Sequence, residues 1–176
     1  RSVDEQQSQA QQSLERVADQ SREMQKRLEQ LQRTAPRGPQ SDTPRFERSE
    51  EMRKTLERQQ ELSKQVERAA EQMQQSVENA EERQAFREEL MNKLHEMSEL
   101  MKQIQSQELK EAVRRMQQAL EKMDPQAQEQ SLQQMQQKNK EMLQNLQRSI
   151  ELLKQLRDEE RTEALARRAE ELKARQ

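Results

Sequence analysis

The chain of 176 residues contains no cysteine, tryptophan or tyrosine, and only one glycine, one histidine and two phenylalanines. Glycine averages about 7% of protein residues, so about a dozen would be expected at this length. With so little glycine and aromatic content, the sequence offers almost nothing from which to build strands and tight turns. The absence of cysteine, together with a single histidine, also excludes a zinc site made of Cys and His ligands. These absences predict an all-α protein.

Apolar residues are also scarce, at 29%, while charged residues make up 38%. Ordinary globular domains have roughly 45–50% and 25%. The 32 Lys and Arg nearly balance the 34 Asp and Glu, and 33 residues are Gln. A compact single core is therefore not expected, and long exposed helices or disorder remain. Charges that cancel and apolar residues that recur regularly argue against disorder.

The same composition argues against nucleic-acid binding and against a transmembrane helix. The net charge is −2, basic residues alternate with acidic ones, and aromatic platforms for bases are nearly absent, so nucleic-acid binding is not expected. No apolar run approaches the length of roughly 18 residues that a transmembrane helix needs, so none is predicted in this chain.

Proline and glycine divide the chain into three predicted helices. Three of the four prolines and the only glycine lie between residues 34 and 44, and the remaining proline is Pro125. Asp124 and Pro125 fit the N-cap and first position of a helix. The predicted elements are a first coiled-coil helix over 1–34, a Pro/Gly loop over 35–44, a long central helix over 45–123, and a third helix over 124–176.

Apolar residues recur at alternating spacings of three and four along all three helices, which is the heptad pattern of a coiled coil. In the middle helix this alternation slips near Phe86–Leu94, as a stutter would. The residues predicted to form the seams, and hence the interaction surface, are Leu14, Val17, Met24, Leu28, Met52, Leu56, Leu62, Leu94, Met97, Leu100, Ile104, Met116, Leu132, Leu146, Ile150, Leu153 and Leu156.

The turns set a pairing register. A turn between Asp124 and Pro125 places residue i opposite about 249 − i, and the 35–44 loop gives partners near 79 − i. Both rules bring apolar residues together, so the sequence predicts an extended antiparallel coiled coil of two consecutive hairpins, with the third helix packing back on residues 73–123. The middle helix would span about 117 Å. A weak point near residues 105–107 leaves a break there as the alternative.

The sequence shows no candidate for catalysis. Its many carboxylates alternate with Lys and Arg, as on a solvated helix face, and His95 lies beside a seam position rather than on it. The single glycine, Gly38, lies between prolines, so there is no phosphate-binding loop. We therefore predict no catalytic residue, no cofactor and no metal, and a protein that is not an enzyme.

Two functions remain from different classes. The first is a structural or scaffolding coiled coil that binds protein, either itself or another partner, or acts as a spacer. The alternative is an amphipathic lipid or membrane-surface binder like the apolipoproteins, which are also helical chains punctuated by prolines. Such a binder should have a wider apolar face with aromatics at the lipid boundary. The narrow seams, filled largely by Met and Leu, favour the first reading.

Residues 106–156 resemble the helical region of a family of large, uncharacterised bacterial membrane-anchored proteins. The resemblance rests on an "ALEKLDP"-like turn, here Ala119 to Pro125, and on an "LERSIELLKRL"-like stretch, here Leu146 to Leu156. It implies a membrane anchor outside this chain and a helical part on the periplasmic side. The start at Arg1, without an initiator Met, fits a fragment or a processed product. The family lends no catalytic residues.

Overall fold

A computed structural model describes residues 3–35, 42–83, 88–104 and 107–176. Within these ranges the chain is all-α and contains no strand, as the composition predicts. Five helices follow one another: α1 (Val3–Arg33), α2 (Asp42–Arg83), α3 (Glu88–Ile104), α4 (Gln107–Glu121) and α5 (Pro125–Ala174).

The helices form a four-sided bundle in which α3 and α4 together make one side. Helix α1 packs against α2 and α5, and the α3–α4 side also packs against both of these helices. The two other pairings, α1 with the α3–α4 side and α2 with α5, make no close backbone contact in the described ranges and therefore lie diagonally. Each of the four sides thus has two neighbouring sides.

Neighbouring helices run antiparallel, as hydrogen bonds between side chains near opposite ends show. Between α1 and α5, Gln7 donates to Glu160 at 3.2 Å, and Arg157 donates to Gln11 at 2.9 Å. Between α5 and the α3–α4 side, the partners are Arg115 with Gln134, Lys138 with Glu108, Asn145 with Gln103, and Arg148 with Glu96.

The prediction of three helices with one continuous helix over 45–123 is wrong. Lys110 of α4 forms an ion pair with Glu67 of α2. In a continuous helix these residues would be about 65 Å apart. Helix α2 ends at Arg83, and α3 and α4 run back along it. Residues 84–87 and 105–106, where the predicted stutter and break partly fall, lie outside the described residues.

The bundle replaces the predicted rod because the buried stripe is wider than a coiled-coil seam. At many seam positions the neighbouring residue is buried too, and a stripe of that width needs two partner helices. The second residue is usually small: Ala or Ser, once Thr, and once Leu. The adjacent buried pairs are Val17–Ala18, Thr55–Leu56, Ala69–Ala70, Ser76–Val77, Ala112–Val113, Ala119–Leu120, Ser131–Leu132, Ser149–Ile150 and Leu152–Leu153.

The end of α5 also differs from the prediction that the third helix packs on residues 73–123. Helix α5 packs against α1, α3 and α4, and its backbone makes no close contact with α2, which contains residues 73–83. Its last buried apolar residue is Leu156, and the following Leu165 and Leu172 are 66% and 62% exposed. The final turns of α5 therefore extend beyond the bundle.

The segment that connects α1 to α2 is shorter than the predicted loop over 35–44. Helix α1 ends at Arg33, and α2 begins at Asp42. Pro44 therefore lies in the first turn of α2, where its missing N–H removes no helical hydrogen bond. Residues 36–41, which include Gly38, lie outside the described residues.

The turn between α4 and α5 is tight and capped at both sides. The carboxylate of Asp124 accepts hydrogen bonds from the backbone N–H groups of Gln126 and Ala127 at 3.1 and 3.2 Å, so Asp124 is the N-cap of α5. The N–H groups of Met123 and Asp124 donate to carbonyls of Leu120 and Ala119, which closes α4 with a Schellman motif. Met123 has φ 52°, where glycine is usual.

Replacing Met123 with glycine should stabilise the protein. A left-handed conformation costs a non-glycine residue roughly 1–2 kcal/mol, and the Met123 side chain is 81% exposed, so little packing is lost. Since glycine also gains entropy in the unfolded chain, we expect the free energy of unfolding to rise by about 0.5–1 kcal/mol in urea denaturation. The matched control, Lys122→Gly, has no positive φ to relieve and should lower it.

Candidate interaction sites

The predicted seam residues lie inside the bundle. Sixteen of the seventeen are buried, and Leu100 is half-buried against the same core. They contact other helices of the same chain, so in this fold they hold the bundle together and present no surface to a second molecule. A partner must therefore be bound by other residues.

Asn139 places a polar group in the middle of this apolar core. Its side chain is fully buried, and its Nδ2 donates to the main-chain carbonyl of Ser21 and to Oε1 of Gln25, both at 3.1 Å. Its Oδ1 has no hydrogen-bond partner among the described residues. A buried Asn at a seam position typically fixes helix register at some cost in stability. Asn139 thus fixes the axial register of α5 against α1.

Gln7 and Gln59 are two further amides in the core, and neither is among the seam residues predicted from the sequence. Both are almost completely buried. The Nε2 of Gln7 donates to Glu160, and that of Gln59 donates to Ser63 at 3.4 Å. Gln7 falls on the heptad of the first helix, and this spacing is a signal that it is buried. Gln59 falls between the seam residues identified from the sequence, and among so many glutamines it carried no signal.

Arg48 links three helices at one end of the bundle. Its Nη1 donates to the carbonyl of Leu31 at 2.6 Å and to Oγ1 of Thr34 at 3.2 Å, and its Nη2 binds Glu129 at 2.6 Å. The guanidinium thereby satisfies a carbonyl in the last turn of α1, which has no helical partner there. Only 11% of the Arg48 side chain is exposed. It fastens α1 and α5 to the start of α2.

Charged pairs cover the groove between α5 and the α3–α4 side. Arg148 binds Glu96 through two nitrogens, and this hydrogen bond lowers the pKa of the Glu96 carboxyl. Hydrogen bonds from Lys138 to Glu108 and Glu141 raise the pKa of its ammonium group. These groups are exposed, except for the half-buried Lys138, and are held in their charged forms. They support helix pairing and are not poised for proton transfer.

The grooves on the surface do not bring reactive groups together. One of about 510 Å³ lies between α4 and α5 and one of about 370 Å³ between α1 and α2, and both are lined mainly by Gln, Arg and Glu. His95 is exposed on α3. In the described residues no three metal-binding side chains of the His, Cys, Asp and Glu types cluster together.

Few large apolar side chains reach the surface of the described part. These are Phe46, Met123, Leu165 and Leu172. The last two lie together on the end of α5, seven residues apart and thus on one helix face. Their spacing to each other fits a heptad, but their phase relative to Leu156 does not.

No family model, curated protein or solved structure matches this chain. Among the described residues, no helix is both long enough and apolar enough to cross a lipid bilayer.

Replacing Asn139 with Asp should strongly destabilise the bundle at neutral pH. The two side chains have nearly the same shape, but a carboxylate cannot donate to Ser21 or Gln25 and would be buried unpaired. We expect the free energy of unfolding to fall by about 3 kcal/mol or more at pH 7. The introduced carboxyl regains a donor when protonated, so the deficit should shrink as the pH falls. Asn139→Leu, which buries no polar atom, should not show this pH dependence.

The pair between Arg148 and Glu96 should be visible in the titration of the carboxyl group. In the Arg148→Gln variant, the pKa of Glu96 should rise toward its ordinary value of 4.5, as followed by carboxyl NMR. Because the folded pKa is the lower one, the pair stabilises the bundle above the ordinary value and the effect is lost as the pH falls through the folded pKa. Lys102→Gln, which removes a pair with Glu99, should leave the titration of Glu96 unchanged. An unchanged Glu96 titration in Arg148→Gln would contradict the assignment.

Proposed function

We propose that this chain is a non-enzymatic structural module, a scaffold or spacer within a larger bacterial, membrane-anchored protein. The observation that carries the proposal is where the apolar and charged residues lie. The seam residues are buried in the chain's own core, the exterior carries both signs of charge, and one helix extends past the rest. A protein built this way holds other parts at a distance or in register.

The proposed architecture consists of two consecutive antiparallel hairpins that close on each other. The pairs between α5 and the α3–α4 side support the second hairpin, because their residue numbers add up to between 244 and 249 along its length. The contact of Arg48 with Leu31, whose numbers add up to 79, supports the first hairpin. The wide apolar stripe on each helix needs two neighbouring helices. One neighbour comes from its own hairpin, and the other hairpin supplies the second.

The dimensions suit a spacer. Helix α5 has 50 residues, which corresponds to about 75 Å at 1.5 Å per residue. Buried side chains from all four sides stiffen most of this length. The contacts of Arg48 with α1 and α5 add to this rigidity. The resemblance of residues 106–156 to membrane-anchored proteins supports a position on the periplasmic side, with the anchor supplied by another part of the protein.

Lipid binding is the competing function, and the exterior argues against it. A lipid-binding helix needs an exposed apolar face with aromatics at its boundary. Here the apolar stripes of the bundle are turned inward, and Phe46 is the only aromatic residue among the exposed large apolar ones in the described part. A bundle could bind lipid only by opening its core.

The two functions can be separated with vesicles. As a structural module, the purified chain should show full helicity by circular dichroism without lipid, and it should remain in the supernatant after co-sedimentation with vesicles of phosphatidylcholine and phosphatidylglycerol. Its helicity should not change on mixing. Low helicity that rises only with lipid, or quantitative co-sedimentation, would favour the lipid-binding function instead.

A further inference from the structure

The last turns of α5 form a single helix outside the bundle. Every residue from Ala164 to Gln176 is exposed. The helical part after residue 160 is about 20 Å long. A solitary helix of this length is only marginally stable in water unless another surface covers it. The segment is therefore suited to docking.

An apolar stripe runs along this segment and faces away from the bundle. Leu165, Ala169 and Leu172 follow one another at spacings of four and three, the pattern of a coiled-coil seam. Leu165 comes nine residues after Leu156, the last buried seam residue of α5. Nine residues at 3.6 per turn amount to two and a half turns. The stripe thus lies on the side opposite the face that α5 turns to the core.

The core-facing side of α5 cannot continue as a seam past Leu156. Its next positions are Glu160, Glu163 and Arg167, all charged. Longer neighbouring helices would meet these residues and not the leucines. The change of phase therefore ends the bundle and begins a second, separate contact surface, which we call the distal stripe (Leu165, Ala169 and Leu172).

Basic side chains border the distal stripe. Arg161, Arg168 and Arg175 recur every seven residues along one edge, and Lys173 lies on the other, whereas Glu171 lies beyond the Arg edge and Glu163 and Glu170 lie on the far side. The helix dipole accounts for basic residues in the last turn only, so it does not explain Arg161 and Arg168. Within the described part of the chain, none of the four basic side chains forms an ion pair.

This charge pattern selects the occupant. The residues bordering a seam meet those of the partner helix and set its identity. In a pair of two copies of this segment, parallel packing would oppose Arg and Lys, and antiparallel packing would oppose Arg and Arg. A helix with acidic residues beside an apolar seam would instead place carboxylates opposite the Arg edge and Lys173. A bilayer is a poor match because the stripe is narrow and lacks aromatics.

We infer that residues 161–176 dock an amphipathic helix of a partner protein whose apolar seam is bordered by Asp or Glu. The inference rests on the proposed scaffold function and names the kind of partner it holds. The bundle fixes the start of the docking helix, so the partner is held beyond the end of the bundle.

The test measures binding of two synthetic heptad-repeat peptides to the whole chain by fluorescence anisotropy. Both peptides have Leu at positions a and d, and they carry Glu or Lys at positions e and g. We expect the Glu peptide to bind about tenfold more tightly than the Lys peptide, which corresponds to a few exposed charge pairs acting together. The difference should diminish as salt is raised, because exposed charges are screened.

Variants locate the contact. Leu165→Gln with Leu172→Gln should abolish binding, and these side chains are too exposed for the change to unfold the bundle. Glu170→Gln with Ala174→Gln, on the opposite face, is the matched control and should bind normally. Reversing Arg161, Arg168 and Arg175 to Glu should reverse the preference, so that the Lys peptide binds more tightly.

Equal binding of the two peptides, or binding unaffected by the leucine substitutions, would overturn the inference. So would a dimer in analytical ultracentrifugation, or binding to phosphatidylserine vesicles, if either is lost with the same leucines. A folded chain that binds neither peptide nor vesicle would reject this docking site and leave the scaffold function standing.

Discussion

The width of the buried stripes is the constraint on which this structure depends. A stripe limited to the a and d positions would be satisfied by one partner helix. Here small residues such as Ala18, Ala69 and Ser149 are buried next to the main seam residues, so each helix needs a neighbour on two sides. Two hairpins laid end to end would leave half of every stripe in water. Closing them into a four-sided bundle covers the stripes with few apolar residues, because each core position serves two interfaces.

Much of the local structure follows from the sequence, but the global arrangement required one further observation. The helical class, the turn at Asp124 and Pro125, and the burial of most seam residues follow from composition, capping and heptad spacing. The α1–α5 interface does not, because pairing rules built from turns relate only helices adjacent in the chain. Small polar or Ala residues beside a seam were the available signal, but the seams predicted from the sequence include none of them. Asn139 could not be distinguished from surrounding polar residues until its neighbours were known.

The bundle ends where the apolar residues of α5 change from one face of the helix to the other. Up to Leu156 the apolar residues of α5 share the face that α1, α3 and α4 cover, and after it they move to the opposite face. The bundle is thus closed and self-sufficient, held by its stripe and by polar contacts such as those of Arg48 and Asn139. A self-sufficient bundle with one projecting helix fits the proposed scaffold function, in which rigidity and partner contact would reside in different parts of the chain.

The central claim is that residues 42–83 and 107–121 lie side by side, and a single distance tests it. Glu67 and Lys110 are both partly exposed, so each can be replaced by cysteine and spin-labelled. Pulsed electron paramagnetic resonance then measures the distance between the two labels. The bundle predicts a separation on the order of neighbouring helices, whose axes are about 10 Å apart, increased by the label linkers. A distance near 65 Å, the length of the intervening residues as one helix, would contradict the bundle and restore the extended rod.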